Sequence, residues 1–196
     1  MEHLFYCRDR PGTWDLRMSL GEDHWAFMDK YAEGMIARGP TFAPDGDTVT
    51  GSLHIVDLPD AEAVRAFAYD EPNHRAGVYE DEVLIRRWRN VLGRTMWQYA
   101  GERPGYERFL ILAHGSAPGV PQALEDAQRG YFTAEYAERL IAYGPLFSED
   151  GTAWRGTALL AELPDRDAAG AMMAGDPCAE LYGEVEIHTW TFGGRR

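Results

Sequence analysis

The chain has 196 residues, with 19 Lys and Arg against 32 Asp and Glu, and its net charge of −13 argues against nucleic acid or an anionic membrane as partner. Hydrophobic residues make up 45% and aromatics 12%, enough for a packed core and too much for disorder. Two cysteines at non-equivalent points build no disulfide framework, and no stretch approaches the ~20 apolar residues of a membrane span, so a soluble, cytoplasmic protein is expected, with a small molecule or another protein as its partner.

Leu4 to Cys7 is a short apolar run ending at Arg-Asp-Arg-Pro-Gly, which predicts a buried strand and a turn. A helix follows: Ser19 and Glu22 fit a capping box, Trp25, Met28, Ala32 and Ile36 recur at helical spacing, and Gly39-Pro40 is its expected stop. A short extended piece at 41–43, a turn at Asp45-Gly46 and a strand over 49–57 read as a hairpin. Leu58-Pro59-Asp60 opens a second helix over 61–68, with Asp60 as its cap, and a strand over 82–89 closes the unit.

The same order then recurs 105 residues later. Between 27 and 66, 17 of 40 positions are identical at that offset, including Tyr31-Ala32-Glu33 with Tyr136-Ala137-Glu138 and Gly39-Pro40 with Gly144-Pro145. The second copy predicts a strand at 109–112, a helix carrying Phe132, Tyr136, Leu140 and Ile141 up to Gly144-Pro145, a strand over 154–162, a helix over 166–174 and a strand over 184–192. The expected class is α+β. Two ferredoxin-like βαββαβ repeats, 1–92 and 107–196 with a linker at 93–106, form an intramolecular dimeric α+β barrel in which fusion replaces dimerisation. Such a pseudo-dimer can associate again with a second copy through another sheet edge.

The first copy resembles the YCII-related family. The residues that carry the likeness are Glu22-Asp23-His24, Gly39-Pro40, Gly51-Ser52, Glu71-Pro72 and Ala76-Gly77-Val78-Tyr79, in the family's order across about residues 4–89. The second copy, about 108–192, keeps Gly144-Pro145, Gly156-Thr157 and Asp176-Pro177. The resemblance implies an active site that pairs the helix histidine with the acid of an Asp-Pro motif. Carried over, the pair is His24 with Glu71, where Glu stands for the family's Asp and Asp70 is a second acid beside it. In the second copy Asp176 matches the acid, while the 105-residue offset puts Arg129 in the histidine's place.

Each of these residues admits a plain alternative. His24 lies on the helix face of Met28, Tyr31 and Met35, where a histidine can serve as a structural residue bonded to a carbonyl. As part of a pair with a carboxylate it can instead take up or give a proton near neutral pH. Glu71-Pro72 is equally a helix-to-strand turn. Arg129 is a substrate-carboxylate binder or an inert partner of Asp176, with the inert pair favoured. His54 is a further substrate-binding candidate, facing either the helices or the barrel interior, and His74 is another. No zinc, haem or nucleotide signature occurs, so no metal or cofactor is expected. The leading reading is a proton-transfer enzyme of isomerase, lyase or dehalogenase type acting on an enolisable ring compound. The rival is a non-catalytic ligand-binding or interaction domain.

Overall fold

The computed structural model describes residues 1–194, so the last two residues of the second predicted unit lie outside it. In chain order the elements are β1 (Glu2–Arg8), α1 (Trp14–Ser19), α2 (Gly21–Asp29), β2 (Met35–Phe42), β3 (Val49–Asp57), α3 (Ala61–Tyr69), α4 (Pro72–Arg75) and β4 (Leu84–Trp88). The second half continues with β5 (Glu107–Gly115), α5 (Gln122–Glu135), β6 (Leu140–Phe147), β7 (Trp154–Leu163), α6 (Arg166–Ala174) and β8 (Tyr182–Trp190). The strand order β1-β3-β2-β8-β5-β7-β6-β4 closes as an eight-stranded antiparallel barrel, the α+β class expected from two fused ferredoxin-like repeats.

The chain divides into two compact units, one of Met1–Arg86 with the segment from Thr191 onward, the other Arg87–Trp190. In the first, β3 is flanked by β1 and β2, with His54 opposite Phe5 on one side and Arg38 on the other. Met28 of α2 and Val64 and Phe67 of α3 pack with Phe5, Met35 and Val56 on one face of that sheet. Burying side chains of this size is worth roughly 1.5–3 kcal/mol each. The second unit repeats the plan: Phe132 of α5 and Met172 of α6 pack with Phe109, Ile111, Leu140 and Leu159. Asp60 and Asp165 cap α3 and α6 by accepting the N–H of Ala63 and Ala168 at 2.9 and 2.8 Å.

The structure corrects the reading of the first helix in each repeat. α2 ends at Asp29, and Gly39-Pro40 lies within β2 rather than at a helix terminus; Gly144-Pro145 likewise lies within β6, so Leu140 and Ile141 are strand residues. Ser19 ends α1 by donating to the Leu16 carbonyl at 2.7 Å, and it caps nothing. The glycine serves close backbone approach instead. A Cβ on Gly144 would sit 1.8 Å from the Arg89 carbonyl oxygen, a position only glycine tolerates. The register also shifts just after the proline in both strands, between Thr41 and Phe42 and between Leu146 and Phe147.

Candidate functional site

His24 and Glu71 meet. The His24 imidazole Nδ1 lies 2.6 Å from Glu71 Oε1, and the two side chains are 13% and 4% exposed. Helix α2 carries the imidazole, and the turn into α4 carries the acid. Pro72 occupies the first position of α4, where its missing N–H costs nothing, and holds Glu71 extended as the N-cap. Glu71 Oε2 accepts the His74 N–H at 2.9 Å while Oε1 faces His24. The turn role and the pairing role are therefore filled by one carboxylate.

Asn73 completes the cluster. Its Nδ2 donates to Glu71 Oε1 at 3.2 Å and to the Tyr79 hydroxyl at 3.3 Å, and lies 3.2 Å from His24 Nδ1. Tyr79 donates to Ser52 Oγ at 3.3 Å, and Ser52 also receives Arg17 Nη2 at 2.7 Å. Arg17 holds both Asp9 oxygens at 2.8 and 3.0 Å. Burial nevertheless raises the Asp9 carboxyl from 3.8 to about 6, against the lowering effect of Arg17. Burial also pushes the Tyr79 phenol well above its usual range.

These groups border a cavity of about 420 Å³ in the first unit. His24, His54, Ser52 and Asn73 line it, with Arg17 and Arg38, and the aromatic side chains of Trp14, Trp25, Phe42 and Phe192 supply apolar wall. With Nδ1 engaged by Glu71, the imidazole presents Nε2 as its remaining polar atom, and no described residue bonds it. His54 faces the helices: its ring centroid is 5.9 Å from that of His24 and 5.6 Å from that of Phe67. Burial first, and then the fields of His24, Arg17 and Arg38, hold its pKa well below the ordinary histidine value, so His54 stays neutral.

The other candidates lie elsewhere. Asp70 points away to an exposed ion pair with Arg75 at 2.6 Å. His74 packs its ring on Tyr69, centroids 5.1 Å apart. In the second unit Arg129 contacts Asp126 at 3.4 Å and Glu125 at 3.8 Å along its own helix, so the expected pair with Asp176 is not formed. The partner of Asp176 is Gln128, whose Nε2 donates to both carboxylate oxygens at 2.8 and 3.0 Å and to the Tyr182 hydroxyl at 2.6 Å. One step along a helix turns a side chain by about 100°, which carries Arg129 outward and Gln128 inward. By contacts the residue that stands for His24 is thus Gln128, 104 residues on, whereas the identities that define the repeat begin at Phe27 and Phe132, 105 apart. Thr157 donates to Gln128 Oε1 at 3.3 Å, and Cys178 N–H to Asp176 at 2.8 Å, closing a network without a group that titrates like histidine. Gln128 and Arg129 border a smaller cavity of about 220 Å³.

Sequence reasoning missed Arg17, Arg38 and Asn73. Asn73 follows Glu71-Pro72 directly and was within reach of motif reading; the arginines belong to the site only through the register of α1 and β2. Among the described residues no cluster of His, Cys, Asp and Glu suits a metal ion, and no helix is long and apolar enough to cross a membrane.

An uncharacterized protein of Haemophilus influenzae is 29% identical over 98 residues, which cover 46% of this chain and 99% of that one. The 5-chloro-2-hydroxyhydroquinone dehydrochlorinase of Burkholderia phenoliruptrix is 26% identical over 48% of this chain and 99% of its own, with a TM-score of 0.43. Chlorite dismutase of Candidatus Nitrospira defluvii matches 97% of this chain and 90% of its own at a TM-score of 0.59 and 9% identity, a likeness of fold alone. Residues 1–89, the segment that carries His24 and Glu71, match the model of the YCII-related domain.

Proposed function

We propose that the first repeat is a small-molecule enzyme of isomerase, lyase or dehalogenase type, with His24 as its proton-transfer residue and Glu71 as the carboxylate that orients it. The observation that carries this reading is the 2.6 Å His24–Glu71 contact behind a 420 Å³ cavity that the imidazole lines. A carboxylate on Nδ1–H selects the tautomer with a lone pair on Nε2 and stabilises the imidazolium formed when Nε2 takes a proton. A substrate carbon acid in the cavity would give its proton to Nε2. The electron pair left on carbon would move into an adjacent carbonyl, or expel a leaving group from the neighbouring carbon. The imidazolium then returns the proton to another position or to water. An enolisable ring compound suits this chemistry and the aromatic walls.

The second repeat supports only a binding or structural role, because the Gln128 amide that contacts Asp176 is neither a general acid nor a general base near neutral pH. The test is a panel of cyclic ketones and phenols incubated with the protein in deuterated water, read by mass for deuterium at carbon or for loss of a leaving group. The wild type is expected to turn over at least one compound, and His24→Gln to slow it roughly 100-fold or more. Turnover that His24→Gln leaves unchanged would refute the mechanism.

A further inference from the structure

The lining of the His24 cavity runs against the charge of the molecule that holds it. The protein carries −13 overall, yet the described residues that line this cavity include two arginines and two histidines and no Asp or Glu. Arg17 is already committed to Asp9 through two hydrogen bonds. Arg38 is placed differently. It comes from β2, is only 6% exposed, and stacks over Trp25 with its guanidinium carbon 5.2 Å from the ring centroid. Its Nε donates to the Gly193 carbonyl at 3.3 Å, and the Gly193 N–H returns a bond to the Arg38 carbonyl at 3.0 Å. A Cβ on Gly194 would come within 2.6 Å of the guanidinium, so glycine there lets the segment close over the side chain. The head group is thereby fixed between an indole face and a backbone segment. Keeping a guanidinium buried is costly, and burial lowers its pKa, with the field of Asp29 opposing.

We infer that this cavity takes a flat organic anion, a carboxylate, phenolate or enolate on an aromatic-sized ring, with Arg38 as the anion anchor and the aromatic walls as the platform for the ring. The inference rests on the reading of the cavity as the substrate site and names the class of substrate. A planar guanidinium beside an indole suits a planar anion that can stack and bond at once. The guanidinium charge also favours a substrate whose proton loss would otherwise build up negative charge without a partner, since Arg38 lines the same cavity as His24.

The experiment uses benzoate and benzamide, which share a ring and differ in charge, with binding to the whole protein followed by calorimetry. The wild type is expected to bind benzoate at least tenfold more tightly than benzamide, on the order of the 1.5–3 kcal/mol of a charge-assisted hydrogen bond. Arg38→Met should reduce benzoate affinity roughly 10- to 100-fold, to the level of benzamide, and leave benzamide unchanged. Arg38→Lys, which keeps the charge and loses the planar fork, should restore part of the preference. Equal binding of the two probes by the wild type, no benzoate binding at all, or an Arg38→Met variant with full benzoate affinity would each overturn the assignment. If Arg38→Met does not fold, the wild-type comparison and Arg38→Lys decide alone. His24→Gln separates the two claims: it should retain the benzoate preference while losing turnover. Turnover that depends on His24 without an anion preference would sink the anchor and spare the proton-transfer reading, and the reverse pattern would sink the latter.

Discussion

At the scale of single residues, the site works by division of labour within one carboxylate. Glu71 uses one oxygen to cap α4 and the other to hold His24, so the fold that needs the cap also orients the imidazole. The Asp9–Arg17 pair behind Ser52 is a second charged feature with a measurable signature. Burial raises Asp9 from 3.8 to about 6, so the folded protein binds this proton more tightly than the unfolded chain does. The contribution of Asp9 to stability is therefore present below about pH 4 and is lost as pH rises towards 6 and beyond. Urea unfolding of the wild type and Asp9→Asn at several pH values should show the wild type losing ground to the variant between pH 4 and 7, by up to roughly 3 kcal/mol. A difference independent of pH would mean that Asp9 titrates at its ordinary value.

At the scale of elements, the parts most legible in the sequence are those whose signals are local. Leu58-Pro59-Asp60 and Leu163-Pro164-Asp165 name a cap and a start, and α3 and α6 begin where those residues say. Asp45 accepts the N–H groups of Asp47 and Thr48 at 3.0 and 2.9 Å, the turn its Asp-Gly pair predicts. Gly39-Pro40 misled because its reason is not local. The pair reads as a helix stop, whereas at its counterpart Gly144 the constraint is the Arg89 carbonyl, which approaches from another part of the chain. Gly144→Ala tests this directly. A methyl group 1.8 Å from the Arg89 carbonyl must displace β6, and a loss of roughly 1–3 kcal/mol or more is expected in denaturant unfolding. A simple helix terminator, at which glycine holds a left-handed conformation, would lose only about 1 kcal/mol.

At the scale of the whole molecule, duplication fixes the fold, and the two copies diverge at the candidate site. The offset of 105 residues made the repeats and the barrel class readable from sequence, because core spacing is kept while side chains drift. The site was readable only in part. His24 and Glu71 follow from the likeness of residues 1–89 to the YCII-related domain. Gln128 did not, because a one-residue change of register inside a helix is invisible where no identity marks it. The two copies differ by one side chain at this point: the second repeat has a neutral amide where the first has an imidazole, held in a network with Asp176, Tyr182 and Thr157. The charge contrast between a −13 protein and an acid-free cavity is likewise a property of the whole, found only once the lining is known.

The claim on which all of this turns is that Glu71 sets His24 with its proton on Nδ1 and its lone pair on Nε2, towards the cavity. Long-range proton–nitrogen spectra of the six histidines, taken at alkaline pH, report that tautomer without a substrate. His24 in the wild type should show a protonated Nδ1 and an unprotonated Nε2, and Glu71→Gln should lose that preference. A His24 protonated on Nε2, or a spectrum that Glu71→Gln leaves unaltered, would contradict it.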